Sequence, residues 1–116
     1  MTFTVEIMLR QQERVHSETL SHDLEPALWQ EDDVAQVLTS ILSAIDRVQH
    51  PGDADERPVS LRGLSWIVSS YQDGVVIALE IHSASAVAGP FHVPQETLHA
   101  LMSRALAGAK TSDTVH

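Results

Sequence analysis

The sequence predicts an α+β fold, a two-layer sandwich in which a mostly antiparallel sheet of three or four strands carries two helices on one face. The first observation is that apolar and polar residues alternate in three segments of the chain, which is the period of half-buried strands. The second is that two other segments repeat apolar residues every three or four positions, as amphipathic helices do. The third is the dipeptide Asp73-Gly74 between two strand segments, which is typical of a hairpin turn.

The first strand is predicted at residues 2–10. Its apolar residues, apart from Met8, fall on one face. Its polar residues fall on the other face, together with Met8. The apolar face consists of Phe3, Val5, Ile7 and Leu9. Residues 11–30 are polar, acidic and rich in serine and histidine, so we assign no helix or strand to them.

The first helix is predicted at residues 32–48, with Asp32 as its N-cap and three consecutive acids at its start. The helix must stop before Pro51, which cannot continue it, and residues 51–58 are expected to form a solvated loop. The stripe of this helix that faces the core consists of Val34, Val37, Leu38, Ile41, Leu42, Ile45 and Val48.

A hairpin is predicted from strands 59–71 and 75–83, with Asp73-Gly74 as its two-residue turn. This turn pairs Val68 with Leu79 and keeps apolar residues on a common face. The core face of the second strand consists of Val75, Ile77, Leu79 and Ile81, and its opposite face consists of Val76, Ala78, Glu80 and His82.

The remaining residues predict a turn over 84–90, a short strand at 91–93 and a second helix at 94–107. Pro94 suits the first position of that helix, and Gly108 suits its end. A single domain is therefore expected over 1–108, followed by a flexible tail over 109–116.

Charge and composition exclude several classes of function. The chain has a net charge of −9 with only seven lysines and arginines, which are too few and too scattered to bind nucleic acid or an anionic membrane. There is no cysteine, no segment with the pattern of a signal peptide and no apolar run of about 20 residues. We therefore expect a cytoplasmic protein that binds neither membranes nor nucleic acids.

The candidate ligand-binding residues are Glu80, His82 and His92. Glu80 and His82 share a strand face, and a carboxylate beside a histidine is a frequent support for a general base. The spacing of His16 and His22 matches no metal-binding pattern, and the chain contains neither a GxSxG nor a GxGxxG motif. We therefore predict no catalytic residue, no metal ligand and no cofactor, and keep a small-molecule or metal-binding protein or enzyme as the alternative.

The outward face of the hairpin is the candidate interface. Ile67, Tyr71, Val76 and Ala78 make this face too apolar to remain in contact with water. With both helices on the other side of the sheet, a second copy of the chain is expected to cover it in a symmetric dimer. The sequence thus favours a small acidic non-enzymatic protein-interaction module, such as an adaptor, a chaperone or an immunity-type partner.

Overall fold

The computed structural model of the chain describes residues 1–52, 61 and 63–114. These residues form an α+β fold in which two helices pack on one face of a single antiparallel sheet. The elements in chain order are β1 (Thr2–Leu9), β2 (Val15–Ser21), a 3-10 turn (Pro26–Leu28), α1 (Glu31–Gln49), β3 (Ser65–Tyr71), β4 (Gly74–Glu80), β5 (Ala84–Phe91) and α2 (Gln95–Thr114). The predicted fold class is confirmed, but the number of strands is five rather than three or four.

The five strands lie in the order β2-β1-β5-β4-β3, and all neighbouring strands are antiparallel. The last strand in the chain is therefore the middle strand of the sheet. It joins the N-terminal hairpin, β1–β2, to the hairpin β3–β4, so that one continuous surface extends across all five strands.

The strand β2 lies within residues 11–30, where no element was assigned. One side of β2 is exposed and the other is only half-buried, because β2 is an edge strand. The half-buried side carries His16, Glu18 and Leu20, of which only Leu20 is apolar. The alternation of apolar and polar residues that marks the other strands is therefore missing from β2.

The strand β5 runs from Ala84 to Phe91, where the sequence predicts a turn and a short strand at 91–93. Its core-facing residues before Phe91 are all alanines, so the segment resembles a small-residue loop more than a buried strand. The alternation of buried and exposed positions is nevertheless regular until a bulge in β5, between Ala88 and Phe91, which lies opposite Val75 to Ile77 of β4. Gly89 accommodates this bulge with φ +126°, and a Cβ there would lie 2.9 Å from the carbonyl oxygen of Val75.

The β3–β4 hairpin turns at Gln72-Asp73 rather than at Asp73-Gly74. Tyr71 pairs with Gly74 and Val68 pairs with Ile77, so the register differs from the predicted one by two residues. Because side chains alternate with a period of two, each residue keeps its predicted face. The turn uses a positive φ of 54° at Gln72, while Gly74 is required by packing, since a Cβ there would lie 2.8 Å from the carbonyl oxygen of Phe91.

The core lies between the sheet and the two helices. Phe91 is fully buried, and its ring lies 5.2 Å from the ring of Phe3 and 5.1 Å from that of Trp29. The predicted stripe of α1 is buried except for Val48, which packs at the edge of the core. These contacts hold β1, β5 and the segment before α1 together, and among the described elements neither helix covers the opposite face of the sheet.

The N-cap of α1 is Gln30 rather than Asp32. The Asp33 carboxylate accepts a hydrogen bond of 2.9 Å from the backbone N–H of Gln30, and the Gln30 side chain is directed at the backbone N–H of Asp33, which completes a capping box. A second carboxylate oxygen of Asp33 lies 3.1 Å from Nε2 of His22, at the end of β2. The bond from Gln30, and then that from His22, hold the pKa of Asp33 below its ordinary value. Asp33 thereby ties β2 to the start of α1.

The helix α2 begins directly after Pro94 and continues through Thr114, beyond its predicted end at Gly108. A single glycine lowers helix stability by about 1 kcal/mol but does not by itself terminate a helix. The predicted flexibility of 109–116 stays a prediction, and residues 115–116 lie outside the described residues, as does most of the loop predicted at 51–58.

Within the described part of the chain, neither helix has the length and apolar character needed to cross a membrane.

Candidate interaction surface

The outward side of the sheet, opposite the helices, is the candidate functional site and is called the open face below. It is formed by every second residue of each strand, starting from Thr2 in β1, Val15 in β2, Ser65 in β3, Val76 in β4 and Ser85 in β5. Neither of the two described helices covers the open face. The buried side chains of the three inner strands, β1, β5 and β4, point to the opposite side of the sheet, where the helices lie.

The half of the open face on β3, β4 and β5 is apolar. Ile67 pairs with Ala78, and Ala78 pairs with Val87, so these three side chains form one row across the strands. Ile67 is 64 % exposed and Val87 is 45 % exposed. Tyr71 and Val76 extend the row toward the hairpin turn. A shallow pocket of about 260 Å³ lies along this row.

The half of the open face on β1 and β2 is mainly polar. Most of its positions are serine or threonine, whose hydroxyl groups are solvated in the isolated chain. Two apolar side chains, Met8 and Val15, pair with each other at one end of this half, and both are exposed. The open face is therefore amphipathic, with a broad apolar half and a polar half that ends in an apolar pair.

The open face carries two carboxylates, Glu6 on β1 and Glu80 at the end of β4. Arg10 follows β1 at the end of the sheet where Glu80 lies, and both residues line a shallow pocket of about 300 Å³. Most of the negative charge of the chain lies elsewhere, since residues 11–33 contain seven acids and one arginine. One acid of that segment, Glu18, lies in strand β2. Its side chain points to the helix side of the sheet, where a carboxylate oxygen lies 3.3 Å from a guanidinium nitrogen of Arg47.

The structure places all four predicted interface residues, Ile67, Tyr71, Val76 and Ala78, on the open face. Their role in an interface stays a prediction. The sequence interpretation did not include Val87, which lies in the middle of the open face. The sequence does contain a signal for a strand here, since Ala84, Ala86 and Ala88 alternate with other residues. The small size of the alanines makes this alternation hard to distinguish from a loop rich in small residues.

The candidate ligand-binding residues do not converge on one place. Glu80 and His82 lie near the same end of the sheet, at the end of β4 and in the turn that follows. His92 follows the far end of β5, whose eight residues span about 25 Å. Glu80 pairs with Ser65 across the hairpin, and no hydrogen bond joins Ser65, Glu80 and His82. A ligand-binding role for these residues stays a prediction.

The remaining histidines near β2 make local structural contacts. Nε2 of His16 lies 3.2 Å from the side-chain oxygen of Gln12, and the ring of His22 packs edge-on against Trp29. In the residues that the structure describes, no three histidine, aspartate or glutamate side chains are grouped closely enough to hold a metal ion.

A further cavity, of about 680 Å³, lies on the helix side between the start of α1 and α2. Trp29 and Leu101 line it together with one acid, Glu31, and one base, Arg104. Opposite charges at one cleft do not select an anion or a cation, so its chemistry does not define a ligand.

Comparison with known proteins does not identify the chain, since no protein-family model, no curated protein and no solved structure matches it.

Proposed function

We propose that the chain is a small acidic protein-interaction module without catalytic activity, which self-associates through its open face in the manner of an adaptor, a chaperone or an immunity-type partner. The observation that carries this proposal is the apolar row of Ile67, Ala78 and Val87 on a sheet face that neither helix covers.

Exposure of the apolar side chains of the open face to water raises the free energy of an isolated chain. Ile67 is 64 % exposed, Tyr71 is 53 % exposed and Val87 is 45 % exposed, and all three lie on the same side of the sheet. Each square ångström of apolar surface removed from water contributes about 25 cal/mol. Grouped apolar side chains on a regular surface are typical of protein interfaces, whereas isolated ones are not.

The dimensions of the open face suit a second copy. Strands of seven residues, five abreast, cover roughly 24 by 23 Å at about 4.8 Å per strand and about 3.3 Å per residue. Two such faces in contact bury on the order of 1,100 Å², which is near the lower limit for specific interfaces. Two sheets packed face to face also form a standard sandwich core.

The distribution of charge supports self-association despite the net charge of −9. Among the residues that the structure describes, two carboxylates, Glu6 and Glu80, lie on the open face, and Arg10 adjoins it. The acids that dominate the net charge are in residues 11–33, largely at the start of α1 and in the segment before it. Repulsion between two copies is therefore weaker at the open face than at the segment that carries these acids.

Sedimentation velocity of the purified full chain over a range of concentrations tests the proposal. We expect the mass to rise from 12.7 kDa toward twice that value, with half-association at a concentration on the order of 1–100 µM for an interface of this area. A chain that sediments as a monomer up to about 1 mM would contradict the proposal, since millimolar dissociation constants correspond to only about 4 kcal/mol.

A further inference from the structure

The sheet has two edge strands, β2 and β3, and their free edges differ. On β3, the first residue of α2 lies against the edge. Nε2 of Gln95 donates a hydrogen bond of 3.0 Å to the carbonyl oxygen of Val68 in the middle of the strand, and the hydroxyl of Ser70 donates one of 2.9 Å to Oε1 of Gln95. A further strand at β3 would therefore have to displace Gln95.

On β2, the backbone groups of alternate residues point away from the sheet. Met1 and His22 exchange two hydrogen bonds, of 2.7 and 2.9 Å, at the end of the ladder between β1 and β2. Bonded and non-bonded pairs alternate along an antiparallel ladder, so the even-numbered residues of β2 bond to β1. The odd-numbered residues direct their N–H and C=O groups to the free edge. These residues are Val15, Ser17, Thr19 and Ser21.

The free edge of β2 is regular and unprotected. Within the described part of the chain, no hydrogen bond reaches its outward backbone groups. The strand is seven residues long, pairs with β1 without a bulge, and contains neither proline nor lysine. Proteins use such residues and bulges to keep further strands away from a sheet edge. Of the two edges, β2 is thus the one at which a strand can be added.

The surroundings of β2 are acidic. Glu13 and Asp23 are exposed and lie two residues beyond the two ends of the strand, and Glu18 lies in its middle. Glu18 is paired with Arg47, but the seven acids of residues 11–33 still outnumber the one arginine of that segment and Arg47 together by five. An incoming strand that carries lysine or arginine side chains is therefore favoured over a neutral or acidic one.

A second copy of β2 fits this edge poorly. When two β2 strands pair antiparallel over all seven residues, Glu18 lies directly opposite its equivalent. Like charges at directly opposite positions destabilise a strand pair. The net charge of −9 on each copy adds to this repulsion.

We propose that the free edge of β2 binds an extended basic segment of a partner protein, which adds to the sheet as a sixth strand. This inference rests on the proposed role as an interaction module and names the class of partner, but it uses the edge of the sheet rather than the open face. Hydrogen bonds to the outward backbone groups of residues such as Ser17 and Thr19 supply the affinity, as in other cases of strand addition. The acids around β2 supply the preference for a basic strand.

Peptide binding tests the proposal. The probe is a seven-residue peptide that alternates threonine with lysine, and its control has glutamate in place of lysine. We expect the lysine peptide to bind the full chain at low ionic strength with a dissociation constant on the order of 100 µM, and the glutamate peptide to bind at least about tenfold more weakly. Fluorescence anisotropy measures both constants. Equal binding of the two peptides, or no binding of the lysine peptide up to about 5 mM, would overturn the proposal.

Proline variants locate the edge that binds. Ser17→Pro removes an outward N–H of β2 without removing a hydrogen bond to β1, and we expect it to weaken binding of the lysine peptide at least about tenfold. Ser70→Pro is the matched control on β3. Tyr71 and Gly74 close the hairpin turn as a bonded pair, so the N–H of Ser70 points to the free edge of β3. Binding that is lost in Ser70→Pro and kept in Ser17→Pro would place the peptide on β3 and overturn the proposal.

Amide hydrogen exchange in the unmodified chain gives a test that does not depend on the folding of a variant. At nine-tenths occupancy by the lysine peptide, exchange of the N–H groups of Ser17 and Thr19 is expected to slow about tenfold, while that of Ser70 is unchanged. If the bound peptide left both β2 amides unprotected, it would lie elsewhere. Protection that rises with protein concentration before any peptide is added would mean that a second copy occupies the edge. Either result would overturn the proposal.

These outcomes are distinguishable from the failure of the proposed self-association. A chain that self-associates through Ile67 but binds no lysine peptide retains the open face as an interface and loses the role of the β2 edge. A chain that binds the peptide at β2 but sediments as a monomer at all concentrations retains the β2 edge and loses self-association through the open face.

Discussion

Ile67→Asp is expected to weaken the dimer by at least about a hundredfold. Ile67 is the most exposed large side chain of the apolar row, at 64 %, and its burial against a second copy contributes about 2 kcal/mol. The aspartate removes this contribution and in addition forces a carboxylate without a partner into an apolar contact. Together these effects exceed about 3 kcal/mol, which corresponds to more than a hundredfold in the dissociation constant. Sedimentation velocity measures the change directly.

Leu28→Asp provides the matched control. Leu28 is 63 % exposed, nearly as much as Ile67, but it lies in the 3-10 turn rather than in the sheet. Leu28→Asp therefore adds the same charge as Ile67→Asp at a similarly exposed position, but at a site outside the open face. We expect no change in the dissociation constant for Leu28→Asp. Equal weakening by both variants would mean that added negative charge, and not the open face, controls association.

Phe91→Ala is expected to lower the free energy of unfolding by about 3–5 kcal/mol. The side chain is fully buried and packs against the rings of Phe3 and Trp29, so its removal leaves a cavity where β1, β5 and the segment before α1 meet. Domains of this size have free energies of unfolding of roughly 5–15 kcal/mol, so this loss is a large fraction of the total. Urea denaturation followed by circular dichroism measures it.

The exposed Leu28 again supplies the comparison for this experiment. Leu28→Ala removes a large apolar side chain that is 63 % exposed, and we expect a change within about 0.5 kcal/mol. If Phe91→Ala were no more destabilising than Leu28→Ala, the packing of Phe91 against Phe3 and Trp29 described above would be wrong.

Residue periodicity was sufficient to predict β1, α1 and the two faces of the β3–β4 hairpin. Val5 and Ile7, for example, alternate with polar residues, and the corresponding positions are fully buried. Periodicity failed for β2 because an edge strand buries neither side well, so that His16 and Glu18 occupy its inner face. It failed for β5 because its buried positions under α1 are alanines, which have no strong preference for strands.

The open face was partly predictable for the same reason. Ile67, Tyr71, Val76 and Ala78 were assigned to one face by parity alone, and a register error of two residues leaves parity unchanged. Val87 was not predicted, because its place in the middle of the sheet follows from the pairing of β1 with β5, which no local pattern encodes. The separation of His92 from Glu80 has the same origin, since it depends on the length of β5.

A thiol introduced on the open face tests the central claim most directly, because the natural chain contains no cysteine. Ser69 lies on this face between Ile67 and Tyr71 and pairs with Val76, whereas Thr97 is exposed on α2. We predict that alkylation of Ser69→Cys slows as the protein concentration rises through the range of self-association, while alkylation of Thr97→Cys proceeds at a constant rate. If the rates for both thiols were independent of concentration while the chain dimerised, some other surface would hold the two copies together.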